Sequence, residues 1–243
     1  YFFNLYLVRS DGSGLMRLTD DRGDYSQPQW SPDGNLIAAK YRPSADIHWG
    51  VHVLSAAGQL LRRVSGPTET EDSPSWSPDG TLLACEFDRA ESRNNSGDTH
   101  GNIYVRSVEG LSSRRLTDDA ADYGRPAWSP QGRDIALLRR EDGSTRWDLA
   151  LIAADGTDLR VIPSGGPNGV YRSSPAWSPD GRRLAYLARA GGTKDPSELR
   201  ILDLDTLESL VPGTTSVTGS DDIGHLAWSP DGEYIVLADR RVG

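Results

Sequence analysis

The chain has 243 residues, a net charge of −9 and a pI near 4.9, with 26 Lys and Arg against 35 Asp and Glu. That balance, without any basic cluster, excludes a nucleic-acid surface, because a phosphate-binding face needs Lys and Arg gathered together. No apolar run approaches the ~20 residues of a membrane helix, and the single cysteine, Cys85, excludes an internal disulfide and any multi-cysteine metal site.

In chain order, Asn4–Val8 reads as a strand, Ser10-Asp-Gly12 as a turn and Met16–Leu18 as the next strand. Trp30-Ser-Pro-Asp-Gly34 then opens a pattern that returns as Trp76–Gly80, Trp128–Gly132, Trp177–Gly181 and Trp228–Gly232, with Gln131 the one departure from Asp. Proline presets φ at the second position of a type I turn, Asp suits the third, and Gly closes it. In the second repeat, Ser73–Ser77 is a short extended piece and Thr81–Phe87 an apolar strand. Asp88–His100 is a polar loop. Asn102–Arg106 alternates as a half-buried strand does, and Ser113–Thr117 is a fourth strand. Val51–Ser55, Asp148–Ile152 and Glu198–Leu202 occupy the third-strand place elsewhere, and Tyr234–Ala238 is the last second strand. Cys85 stands where the first repeat has Ala39, as a small buried strand residue.

The tryptophans fall 46, 52, 49 and 51 residues apart. A period of 40–50 residues with four antiparallel strands is one propeller blade. The expected fold is therefore all-β: a single domain over 1–243, five-bladed, with blades at about 26–66, 72–119, 124–164, 173–213, and 226–243 joined with 1–20. The N-terminal strands would complete the C-terminal blade and close the ring, which removes free sheet edges. A tryptophan at one fixed place per blade is scaffold, packed between neighbours.

Function must then come from residues that break the repeat. The third residue before each tryptophan should lie at the mouth of a central channel: Gln27, Ser73, Arg125, Ser174 and His225. With the residues just before them, the candidate binding ring is Tyr25, Gln27, Asp72, Tyr123, Arg125, Arg172 and His225, types that make recognition hot spots. Asp24, Asp122 and Asp222 each lie six residues before a tryptophan and Asp72 lies four before. They are candidates for turn caps, for a Ca²⁺ site built of carboxylates, or for the acid pair of a glycoside-active enzyme. His48 and His52 are four apart, which on a strand separates them by about 13 Å and argues against a metal pair. No Gly-x-Ser-x-Gly elbow and no phosphate loop occurs.

Pro-x-Trp-Ser-Pro-Asp-Gly followed by an apolar strand, together with Arg17–Asp20 and Arg115–Asp118 as Arg-Leu-Thr-Asp, resembles the repeat of TolB-like, WD-repeat-like β-propellers. The resemblance runs through the whole chain. Such propellers include periplasmic proteins that bind a lipoprotein partner, sensor domains and the propellers of prolyl-oligopeptidase-like enzymes. The repeat is not specific to a function; the absence of catalytic motifs and the varied polar ring point to a non-enzymatic domain without cofactor, binding a protein or peptide at the channel mouth, and the resemblance implies an extracytoplasmic compartment. The alternatives are a glycoside-active enzyme working through the mouth carboxylates, and the accessory propeller of a larger peptidase polypeptide.

Overall fold

The computed structural model describes residues 2–43, 48–66, 70–88, 101–110, 112–162, 174–189, 197–212, 216–217 and 226–237. Every regular element among them is a β-strand, so no helix is long and apolar enough to cross a membrane. The chain forms two compact units, Tyr1–Arg115 and Leu116–Gly243.

In the first unit, β1 (Tyr6–Leu7) and β2 (Met16–Arg17) pair antiparallel. β3 (Gly23–Trp30), β4 (Leu36–Pro43), β5 (Gly50–Ser55) and β6 (Leu60–Arg63) follow as a four-stranded antiparallel sheet in sequence order. β7 (Thr70–Trp76), β8 (Leu82–Asp88), β9 (Gly101–Ser107) and β10 (Ser113–Arg115) repeat it. In the second unit the same order recurs in β11 (Asp122–Trp128), β12 (Asp134–Arg140), β13 (Asp148–Ala153) and β14 (Arg160–Ile162). β15 (Ala176–Trp177), β16 (Arg183–Arg189), β17 (Ser197–Asp203) and β18 (Ser209–Leu210) make the next sheet, with β19 (Ser216–Val217) also on β17. β20 (Leu226–Trp228) and β21 (Ile235–Leu237) form a two-stranded pair. The expected strands are present at each repeat. The first strand of the second repeat is longer than expected, beginning at Thr70, and its fourth stops at Arg115. Of the loop Asp88–His100, all but Asp88 lies outside the described residues.

Second strands are apolar without alternation because both of their faces are covered. Ile135, Ala136, Leu137 and Leu138 are all fully buried in β12. Ala38, Val51 and Val53 of one sheet meet Trp76, Leu83 and Cys85 of the next. In the second unit Ala136, Leu149 and Leu151 meet Leu184, Tyr186 and Leu202. The motif tryptophans tie these seams: Trp76 Nε1 donates to the Gln29 carbonyl, Trp177 Nε1 to that of Ala127 and Trp228 Nε1 to that of Ala176. Each reaches the residue just before the preceding motif tryptophan. Trp30, the first of the series, is 47% exposed.

The Ser-Pro-Asp-Gly turns form as their chemistry dictates. Gly34, Gly80, Gly132, Gly181 and Gly232 donate N–H to the Ser carbonyl three residues back and hold φ of 67–73°, where a side chain would be strained.

Candidate functional site

Antiparallel register brings the start of each first strand, the end of the second and the start of the third to one rim of the sheet. Asp24 faces Arg42 and Tyr41 faces Gly50 in the first sheet; Asp122 faces Arg140 and Arg139 faces Asp148 in the third. On this rim the first strands are broken by bulges, between Ser26 and Gln29, Asp72 and Ser75, and Gly124 and Ala127. Each break falls at a proline, which has no N–H for the ladder. The residues before those prolines, Gln27, Ser73 and Arg125, are held at φ 51, 51 and 55°. A left-handed non-glycine residue costs roughly 1–2 kcal/mol; finding it three times at one register makes it a built feature. These are three of the five positions expected at the mouth. Gln27 Oε1 accepts from Ser73 N at 3.1 Å, so one bulge is tied to the next.

The carboxylates of the rim are paired with cations. Asp24 accepts from Arg42 at 3.0 Å and from Phe3 N at 3.1 Å, and that backbone bond, then the arginine, holds its carboxyl below the usual range. Such a group is a poor proton donor. Asp122 accepts from both Nε and Nη2 of Arg140, and Asp72 from Lys40 Nζ at 2.5 Å across the sheet seam. Among the described residues no three His, Cys, Asp or Glu side chains converge on one point. Asp222, Arg172 and His225 lie outside the described residues.

Tyr25 and Tyr123, expected on the binding ring, are instead buried. Strand alternation turns them inward, and their hydroxyls meet Asp21 and Asp119 of the two Arg-Leu-Thr-Asp-Asp segments, at 3.3 and 2.9 Å. Burial and the carboxylate push the Tyr123 hydroxyl up to about 12 and Tyr25 higher. They brace the rim from beneath. At the matching place in the second sheet stands Glu71, fully buried and ion-paired with Arg106. His48 Nδ1 lies 3.3 Å from Thr70 Oγ1, while His52 is buried and stacked on Tyr41 with ring centroids 4.0 Å apart. Burial and the Arg63 charge lower the His52 pKa to about 4. Cys85 is fully buried, which pushes its thiol well up.

A further pair of residues on the rim escapes motif reading. Arg42 lies 4.5 Å from the Trp49 ring centre and Arg140 5.2 Å from that of Trp147. Asp24, Arg42 and Trp49 thus recur as Asp122, Arg140 and Trp147, every member displaced by 98 residues. The signal was there: these are the only two tryptophans outside the motif, each 19 residues after a motif tryptophan. Seam grooves of about 600 Å³, beside Leu36, Val53 and Val108, and about 470 Å³, beside Leu151, Trp177 and Leu204, lie away from the rim. They repeat with the scaffold.

The fold is shared with solved enzymes. An oligogalacturonate lyase in complex with manganese superposes with a TM-score of 0.68, at 20% identity, over 98% of this chain and 65% of its own. A puromycin hydrolase gives 0.65 at 18% identity, over 93% of this chain and 36% of that one. A prolyl endopeptidase gives 0.64 at 15%, over 96% and 36%. At such identities the likeness is one of fold. In sequence, 63 residues are 33% identical to the Tol-Pal system protein TolB of Rhizorhabdus wittichii, a stretch of 26% of this chain that spans only 14% of that relative. Residues 17–194 match the model of the TolB beta propeller domain, and the chain belongs to that family.

Proposed function

We propose that the chain is a non-enzymatic recognition propeller that binds a protein or peptide segment at the rim where its first strands begin. The observation that supports this reading is the run of three strained bulges: backbone strain persists where a function holds it, and these bulges present Gln27 and Arg125 half-exposed at the rim. Arg172 and His225 are assigned to the same rim by their places in the repeat. The reading includes a closed ring of five blades, with β1 and β2 completing the blade of β20 and β21, no cofactor, and an extracytoplasmic location. The domain would work alone or within a larger polypeptide.

Panning a displayed random-peptide library on the full chain tests it. Enriched peptides should bind Arg125→Ala and His225→Ala about tenfold more weakly, as loss of a charged hydrogen bond predicts, with melting temperatures unchanged. Failure to enrich any peptide, or unaltered binding by both variants, would overturn the reading. Turnover of a polysaccharide panel that is abolished in a folded Asp72→Asn variant would put the glycoside-active alternative in its place.

A further inference from the structure

The two Asp-Arg-Trp sets share their spacing and differ in how they are finished. In the second unit the set is closed: Asp122 has a side chain only 4% exposed, Arg140 places two of its nitrogens on that carboxylate, and Trp147 is buried. Leu138 fills the position beside it on β12. In the first unit the set is open. Arg42 is 38% exposed and bonds Asp24 through Nη2 alone, and Trp49 is half-buried. The counterpart of Leu138 is Lys40, one of two lysines among 26 basic residues. Its ammonium lies 4.6 Å from the Trp49 ring centre and is bonded to Asp72 of the neighbouring sheet.

Hydrogen-bond accounting gives this cluster a sign. Asp24 and Asp72 each have both carboxylate oxygens engaged: Phe3 N and Arg42 on one, Ser73 N and Lys40 on the other. Arg42 keeps Nε and Nη1, and Lys40 keeps two of its three N–H groups, without an acceptor among the described residues. Unused charged donors beside a half-buried indole, in a chain of net charge −9, are a local exception built for an acceptor.

We propose that Lys40, Arg42 and Trp49 form a carboxylate-binding position that receives an Asp or Glu side chain of the bound peptide segment. The carboxylate accepts from the free edge of Arg42 and from Lys40, and the methylenes of the acidic side chain lie against Trp49. This inference rests on the recognition reading and narrows its partner to acidic segments.

The probe is acetyl-tetraglutamate amide, titrated into the full chain while the indole N–H resonances are followed by NMR; Trp49→Phe assigns one peak and Trp147→Phe another. The glutamate peptide should shift the Trp49 resonance and leave that of Trp147 in place. Arg42→Gln should weaken the effect at least about tenfold. Lys40→Leu, which installs the residue the third repeat already carries, should weaken it without lowering the melting temperature. Equal shifts with the tetraglutamine or tetralysine peptides, no shift at millimolar glutamate peptide, or an undiminished effect in a folded Arg42→Gln variant would each overturn the proposal. Library peptides enriched without acidic residues would do so while leaving the recognition reading standing; an empty selection would remove that reading itself.

Discussion

Ser31, Ser77, Ser129, Ser178 and Ser229 perform one task five times. Each hydroxyl accepts the N–H of the residue five further on, at 2.9–3.1 Å, and all but Ser129 donate to the Asp two residues on. Ser77 is buried, so Ser77→Ala leaves the Leu82 N–H unanswered and should lower the unfolding free energy by about 1–3 kcal/mol, read by denaturant titration. The hydroxyl bonds hold the carboxyls of Asp33, Asp79, Asp180 and Asp231 below the ordinary range. Their contribution is complete above that range and is lost as pH falls through it. His52 acts at higher pH. Its folded pKa of about 4 lies below the ordinary 6.5, so between those values the unfolded chain holds a proton that the folded chain does not. Stability should therefore fall by about 3 kcal/mol from pH 6.5 to 4. His52→Tyr, which copies Tyr104 of the second repeat, should flatten that stretch of the pH profile. An unchanged slope would show that His52 does not stay neutral in the fold.

At the scale of the strand, the pieces set by local chemistry were legible and those set by register were not. The turns, the unalternating second strands and the burial of Cys85 follow from a few adjacent residues. The first strand of the second repeat extends back from Ser73 to Thr70 because the chain bulges at Pro74 and continues, as it does at Pro28 and Pro126. The same bulge hid the inward turn of Tyr25 and Tyr123, since a residue offset from tryptophan says nothing of face once the count of two is broken. The Asp24–Arg42 and Asp122–Arg140 pairs needed the register itself. A pair of variants isolates the backbone term of a bulge: Gln27→Gly and Gln27→Val both lose the acceptor for Ser73 N, so their difference is conformational. The valine variant should be less stable by about 1–2 kcal/mol. Equal midpoints in urea would mean the left-handed residue relaxes at no cost.

For the molecule as a whole, the N-terminal segment is the part whose removal says most. Leu5 and Leu18 pack on Tyr25, Ile37, Ala39 and Leu54. The segment is also stitched to the first sheet by Tyr25 N to the Phe3 carbonyl at 2.8 Å and by Phe3 N to Asp24. Deleting residues 1–20 uncovers that face of β4 and the ring of Tyr25, an apolar surface beside strand edges of the kind that pairs between molecules. The expected outcome is aggregation or loss of a cooperative melt, followed by light scattering during heating. Removing residues 1–3 alone should be milder, but not silent: it takes away both Phe3 backbone bonds, of which the one from Phe3 N is the largest cause of the depressed Asp24 carboxyl, while leaving Leu5 in the core. A shift of a few degrees, with the transition still cooperative, is the result expected of that shorter trim. A soluble, cooperatively folding 21–243 fragment would show that the first sheet stands without these strands, and would count against their closing a ring of five blades.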